Sequence, residues 1–104
     1  MSKRELREFA RDQDCTANIE GFCNYDSATT VLAHYRPGFF GLAMKPQDIL
    51  GAHMCSACHD IVDGRNKKHE FTAEDLTAIF HSAIVKTIQR ITTRYEVKVT
   101  RLKK

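Results

Sequence analysis

The sequence predicts a small α+β domain of short strands and three helices, held together by a bound metal ion. The first reason is length, since 104 residues suit one domain, here residues 1–104. The second is a set of four cysteines in two pairs that lie far apart along the chain. The third is an apolar face at helical spacing in the last third of the sequence.

The composition favours a folded, soluble protein with a thin core. Hydrophobic residues make up 42% of the chain and charged residues 28%, which argues against wholesale disorder. No apolar run approaches the ~20 residues of a membrane span, and the charged start of the chain does not match a secretory signal. We therefore expect a cytoplasmic protein with no membrane partner, in which cysteines serve metal binding or catalysis more often than disulfides.

The first half of the chain predicts one helix followed by loops and a strand. Ser2 and Glu5 have the spacing of a capping box, so a helix is expected over residues 3–12. Residues 15–36 predict a loop or hairpin that carries cysteines, then a strand. The segment 37–46 has two glycines between two prolines and predicts a loop. A brief strand or turn is expected over residues 49–54.

Two further helices are predicted in the second half. The segment CSACHDIVDG reads as a short helix closed by Gly64. Thr72 and Asp75 form a second capping box, which Phe71 and Leu76 reinforce at the spacing of a hydrophobic staple. This helix is expected over about residues 72–97. Its apolar face comprises Leu76, Phe80, Ala83, Ile84, Thr87, Ile91 and Tyr95.

The four cysteines predict a structural zinc site. Cys15 and Cys23 enclose seven residues, and Cys55 and Cys58 enclose two. Two separated pairs of thiolates can converge on one tetrahedral Zn²⁺, and such a metal would stabilise a small domain by on the order of 10 kcal/mol. The alternative is two pairs of free thiols with a chance C-x-x-C spacing.

The segment Cys55 to His59 allows two other interpretations. It matches the motif for covalent attachment of c-type haem. Haem is not expected, because its attachment normally follows export and would leave Cys15 and Cys23 without a role. A thiol redox site at Cys55 and Cys58 is disfavoured, since the sequence lacks the βαβ context of such enzymes.

Two histidines and an aspartate form a second candidate site. His59 follows the C-x-x-C pair, and Asp63 lies four residues further, on the same helical face. A histidine and a carboxylate at this spacing can hold a divalent cation, although such a pair is often only a surface ion pair. His34 lies in a predicted strand, on the opposite side from Ala33 and Tyr35. His53 and His81 are assigned structural roles.

The segments LAHYR, KPQDIL and CSACHDIVDGR resemble the HNH, or ββα-metal, nucleases built on a treble-clef zinc fold, and more narrowly the small prophage-encoded nucleases of the YbcO type. The resemblance runs from about Cys15 to Arg65, which would form the core of the domain. It implies a treble-clef fold that is held together by zinc, with an N-terminal helix on one side and a long C-terminal helix on the other. It also implies His34 as general base, Asp48 as the group that steadies it, and His59 with Asp63 as ligands of a catalytic divalent ion such as Mg²⁺.

The implied function is metal-dependent hydrolysis of DNA phosphodiester bonds, in phage or prophage recombination or processing. A base must take a proton from water, and a cation must offset charge on the phosphate. Two departures from the family pattern are Ala33, where many members have a metal ligand, and Asp48, where Asn is usual. Asp60, His69 or water would then complete the metal site. The alternative is a catalytically inactive, zinc-stabilised module for DNA binding or an adaptor role.

The distribution of charge favours DNA as the partner. The net charge is only +3, but residues 86–104 contain seven basic residues and one acidic residue. Four of them repeat every four residues and form a basic ridge, Lys86, Arg90, Arg94 and Lys98. Together with Arg65, Lys67 and Lys68 beside the candidate site, this ridge suits a phosphate backbone. A solvated helix face is the alternative. Few aromatic residues are available for stacking, so contacts to the backbone are expected to dominate.

Overall fold

The computed structural model describes residues 3–35 and 50–94. In these ranges the chain forms helix α1 (Lys3–Ala10), a short 3-10 helix (Ser27–Thr29), strand β1 (Val31–His34), strand β2 (Gly51–Met54), helix α2 (Ser56–Val62) and helix α3 (Ala73–Arg94). The α+β class is confirmed, with three α-helices and one two-stranded sheet in the described part. None of the helices described there is both long and apolar enough to cross a lipid bilayer.

The two strands form an antiparallel ribbon with a different cluster on each face. Leu32 lies opposite His53, and Ala33 lies opposite Ala52. Neighbouring side chains in a strand point to opposite faces. One face accordingly packs with Leu6 and other residues of α1, and the other contributes to the larger core. That core contains Cys15, Ile19, Ala33, Ala52, Met54, Cys55, Cys58, Ile61, Phe80, Ala83 and Ile84.

Helix α1 ends two residues earlier than the sequence predicts. It stops at Ala10, and Asp12 has a φ of 61°, which is left-handed and incompatible with a continuing helix. The N–H of Gln13 donates to the carbonyl of Ala10 across this turn. The chain thereby changes direction just before the first cysteine. Ser2, the predicted cap, and the predicted loop 37–46 lie outside the described residues.

The segment 15–30 is a loop and not a hairpin, since its one regular element is the 3-10 helix. The predicted strand near residue 50 is confirmed as β2. Helix α2 follows β2 directly, with Cys55 as the residue that caps it, and ends before Gly64 as predicted. Gly64 has a φ of 82°, the left-handed conformation that favours glycine after a helix.

Helix α3 begins with the predicted capping box. The N–H of Asp75 donates to Oγ1 of Thr72 at 3.1 Å, and the N–H of Thr72 donates to the Asp75 carboxylate at 3.0 Å. The predicted apolar face is confirmed through the described part of the helix. Its buried residues are Phe80, Ala83, Ile84, Thr87 and Ile91. The predicted continuation through Tyr95 to about residue 97 lies outside the described residues.

Candidate metal centre and histidine pocket

The four cysteines converge, so they could hold a metal ion. Their sulfur atoms all lie within 4.8 Å of one another, and none is in a disulfide. The Sγ atoms of Cys23 and Cys55 are 3.8 Å apart. Four sulfurs at ~2.3 Å from a tetrahedral centre would be separated by about 3.8 Å. The cluster is therefore close to the geometry of a tetrathiolate site.

Two local turns direct sulfur atoms into this cluster. The backbone N–H of Cys58 donates to Sγ of Cys55 at 3.4 Å, because Cys55 caps α2. In the loop after α1, the N–H of Asn18 donates to Sγ of Cys15 at 3.4 Å. Asn18 has a φ of 43°, which closes this second turn. The sequence predicted the first turn from its C-x-x-C spacing and missed the second, whose fourth residue is an asparagine.

The thiols of the cluster differ in pKa. A hydrogen bond from the Cys58 thiol, assisted by nearby backbone N–H groups, lowers the pKa of Cys15 to about 4. The same hydrogen bond and burial raise the pKa of Cys58. Burial also raises the pKa of Cys23. A metal cation would replace these protons, because thiolates are the form of cysteine that binds metal.

Hydrogen bonds to β2 and α3 hold the loop that carries Cys15. The backbone N–H and the hydroxyl of Thr16 both donate to the carbonyl of His53, at 2.8 and 2.7 Å. The N–H of His53 donates to Oγ1 of Thr87 at 2.9 Å. All three residues are buried. This chain of bonds connects the loop, the strand and the long helix next to the cluster.

Arg90 adds a second connection to the same loop. Its Nη1 donates to the carbonyl of Asp14 at 2.6 Å and lies 3.3 Å from Nδ1 of His53. Burial and the Arg90 charge lower the pKa of His53 to about 4, so this imidazole is neutral. Its ring packs edge-on against Phe9, and its Nε2 has no hydrogen-bond partner among the described residues. The structural role predicted for His53 fits this complete burial.

Three of the predicted site residues, His34, His59 and Asp63, line one pocket, which we call the histidine pocket. His34 ends β1, His59 lies in α2, and Asp63 caps the end of α2. Together with Val62 and Phe80 they enclose about 250 Å³. The N–H of Asp63 donates to the carbonyl of His59, which confirms that the two residues are one helical turn apart. Asp48, the fourth predicted member, lies outside the described residues.

Neighbouring residues already bond to some of the groups that were predicted as cation ligands. Arg65 pairs with Asp63 at 3.0 Å and approaches Asp60 at 3.9 Å, a contact that the sequence did not indicate. Nδ1 of His69 accepts the N–H of Phe71 at 3.1 Å. Ala33 is buried in the core and offers no ligand atom. Of the predicted cation ligands, His59 and Asp63 line the pocket, and Asp63 is already paired with Arg65.

The basic ridge of α3 borders a groove. Lys86, Arg90 and Arg94 line it together with Phe9 of α1, and it encloses about 660 Å³. Nζ of Lys86 is 3.4 Å from the carbonyl of Thr16, so Lys86 and Arg90 both make contacts inside the molecule. Lys67 and Lys68 are exposed in the segment before α3. Lys98 lies outside the described residues.

His81, the other histidine assigned a structural role, is exposed. Its Nε2 lies 2.7 Å from the hydroxyl of Tyr35, and the two rings pack with centroids 5.0 Å apart. Tyr35 in turn packs against Phe80. His81 therefore supports the outer side of the core, and it is not among the residues that line the histidine pocket.

Comparisons with known proteins give the family. Residues 4–96 match the family model described as "Putative nuclease YbcO". Proteins of that name from Escherichia coli K12 and Enterobacteria phage 82 are each 45% identical over 62 residues, which are 59% of this chain and 65% of each relative. The chain thus spans about two thirds of the length of these relatives. The solved structure of a putative bacteriophage protein from E. coli K-12 is similar, with a TM-score of 0.69 and 33% sequence identity. The match covers 88% of this chain and all of that one. The chain therefore belongs to the YbcO family.

Proposed function

We propose that this chain is a metal-dependent DNA endonuclease of the HNH type, with a structural Zn²⁺ at the four cysteines and a divalent cation at His59 and Asp63. The observation that carries the proposal is the common pocket of His34, His59 and Asp63, in which His59 directly follows Cys58 of the cysteine cluster. A base and two ligands of a divalent cation within one pocket are among the parts that phosphodiester hydrolysis requires.

The donor sets fit two different metals. Four thiolates suit Zn²⁺, and their spacing matches the ~2.3 Å Zn–S bond. An imidazole with a carboxylate suits a more open divalent site, in which water fills the remaining positions. The predicted treble-clef arrangement is supported by the origin of the sulfurs, which come from a loop and from the start of a helix. When bound in the pocket, a divalent cation would supply charge that offsets the developing charge on the phosphate.

Residues of this chain would supply the general base and the contacts to DNA. His34 would accept the proton of the attacking water, because a neutral imidazole is a base near neutral pH. Asp48 would orient His34. Arg65, Lys67 and Lys68 would contact phosphates next to the cut, and Lys86, Arg90 and Arg94 would contact the backbone further along. The relative from Enterobacteria phage 82 supports a role in phage or prophage DNA processing.

The test compares wild-type protein with His34→Ala on plasmid, single-stranded and branched DNA, with Mg²⁺ or Mn²⁺. Loss of a general base lowers the rate by about 10²- to 10⁴-fold. His81→Ala is the matched control, because it removes an exposed imidazole outside the pocket. Equal cleavage by His34→Ala and wild type would refute His34 as the base.

The Asp63–Arg65 pair favours a second candidate function, a DNA-binding or adaptor module without activity. Asp63 already has a cationic partner at 3.0 Å, and Ala33 removes a ligand from the site. This candidate predicts that wild-type protein binds DNA and does not cleave it with any of the metals. The same experiment therefore separates the two functions.

A further inference from the structure

We propose a second nucleic-acid site, a pocket beside the cysteine cluster that takes one unpaired nucleobase and stacks it on Tyr25. The proposal rests on the proposed function only in taking nucleic acid as the partner. The pocket encloses about 350 Å³, within the range of about 300–1,000 Å³ for small-molecule sites. It is separate from the histidine pocket and is lined by Asp14, Cys15, Asn18, Tyr25, Ser27 and Arg90.

The first observation is the exposure of Tyr25. Tyr25 is 73% exposed, more than any other large hydrophobic residue in the described part of the chain. Its backbone has a φ of 55°, a left-handed conformation that a bulky residue adopts only when its surroundings enforce it. An exposed aromatic ring at the edge of a pocket offers a face on which a base can stack.

The second observation is the rigidity of the loop that presents this ring. The N–H of Asp26 donates to Oδ1 of Asn24 at 2.9 Å. Nδ2 of Asn24 donates to Oγ of Ser56 at 3.1 Å and to Oγ1 of Thr29 at 3.2 Å. The N–H of Ser56 also donates to Oγ1 of Thr29. Residues on both sides of Tyr25 are thus tied to the start of α2, which restrains the backbone that carries the ring.

The third observation is the chemistry of the other lining residues. Arg90 is fixed by its bond to the Asp14 carbonyl, and a guanidinium can donate to the ring nitrogens and carbonyls of a base. Asn18 and Ser27 add an amide and a hydroxyl. These three side chains therefore offer hydrogen bonds to the polar edge of a base.

The base must be unpaired, because the faces of a base inside a duplex are covered by its neighbours. It would come from a single strand or from a nucleotide rotated out of a duplex. In both cases the chemistry of recognition is the same, a stacked ring with hydrogen bonds at its edge. The two sources differ only in whether the complementary strand is present, which an experiment can control.

The test uses the zinc-loaded chain without added Mg²⁺ and a short oligonucleotide that contains one 2-aminopurine, whose fluorescence falls when it stacks. Tyr25→Ala is expected to weaken binding by about 5- to 150-fold, the range for loss of one stacked base, and to abolish the quenching. Tyr25→Phe keeps the ring and should retain both. Tyr25→Leu keeps apolar bulk without the ring and should behave as alanine. Val85→Ala, which trims another exposed apolar residue, is the control.

Metal content and circular dichroism establish that each variant is folded. Quenching of the single strand alone would assign the site to single-stranded DNA, and quenching in a duplex as well would assign it to a rotated base. The proposal is overturned if Tyr25→Ala or Tyr25→Leu binds and quenches as wild type, or if wild type binds no oligonucleotide. If the base stacks but the DNA is not cleaved when Mg²⁺ is added, the nuclease activity is refuted and the base-binding site is not.

Discussion

The bond between Thr87 and His53 offers a quantitative test of how the cysteine-bearing loop is held. Oγ1 of Thr87 accepts the backbone N–H of His53 at 2.9 Å and donates to the carbonyl of Ala83 at 2.8 Å. Both Thr87 and His53 are fully buried. Thr87→Val keeps the shape of the side chain and removes its hydroxyl. The N–H of His53 would then lose its partner in a fully buried site.

A buried donor that loses its partner costs about 1–3 kcal/mol. We therefore expect Thr87→Val to lower the free energy of unfolding by about 1–3 kcal/mol. The midpoint of thermal unfolding should fall by about 4–8 °C for each kcal/mol in a domain of this size. Both quantities are measured by denaturant and thermal unfolding of the zinc-loaded protein.

Thr77→Val is the matched control for this substitution. Thr77 lies in the same helix, and its hydroxyl donates to the carbonyl of Ala73 at 3.0 Å in the same i to i−4 pattern, but it is exposed. Its replacement should change stability by less than about 0.5 kcal/mol. If Thr87→Val costs no more than Thr77→Val, the buried bond does not hold the strand to the helix, and the reasoning is wrong.

Four further predictions concern the proposed metal, two helix ends and the ion pair. Under the proposed zinc site, Cys55→Ser should lose the metal and unfold, as seen by elemental analysis and circular dichroism, because a structural zinc would contribute ~10–16 kcal/mol, comparable to the whole stability of a domain. Thr72→Ala removes a capping bond and should cost about 0.5–2 kcal/mol in denaturant unfolding. Gly64→Ala should cost about 1–2 kcal/mol through its φ of 82° alone, since no atom lies within 4 Å of an added Cβ, and Gly64→Asn should cost less. Arg65→Gln should tighten Mn²⁺ binding by up to about fivefold in calorimetry, because the exposed pair is worth at most ~1 kcal/mol, and unchanged binding would count against Asp63 as a ligand.

Local signals in the sequence predicted the helices and the cluster well. The capping box at Thr72 and the glycine after α2 are short-range patterns whose geometry depends on few other residues. The convergence of the four cysteines was predicted from metal chemistry, which allows few arrangements of two thiolate pairs. The end of α1 was placed too late, because the left-handed turn at Asp12 has no glycine to signal it.

The contacts between distant segments could not be predicted. Nothing in the sequence indicates that Arg90 bonds the carbonyl of Asp14, since a backbone acceptor carries no sequence signal. The regular spacing of the basic ridge suggested a solvent-facing or DNA-facing role for every member. The structure shows that one residue can bond the loop and also border two pockets. Tyr25 was missed for a similar reason, because exposure is a property of the fold and not of the residue.

The position of α2 makes the candidate active site depend on the cysteine cluster. Cys55 caps α2 and Cys58 lies in its first turn, so a metal at the cluster fixes the start of the helix that carries His59. His34 is placed by the pairing of β1 with β2, and β2 runs directly into Cys55. Under the proposed function, removal of the structural metal would separate His34 from His59, whereas loss of the His34 imidazole would leave the cluster intact. We therefore expect that loss of zinc unfolds the domain and stops cleavage, whereas His34→Ala stops cleavage and leaves the domain folded.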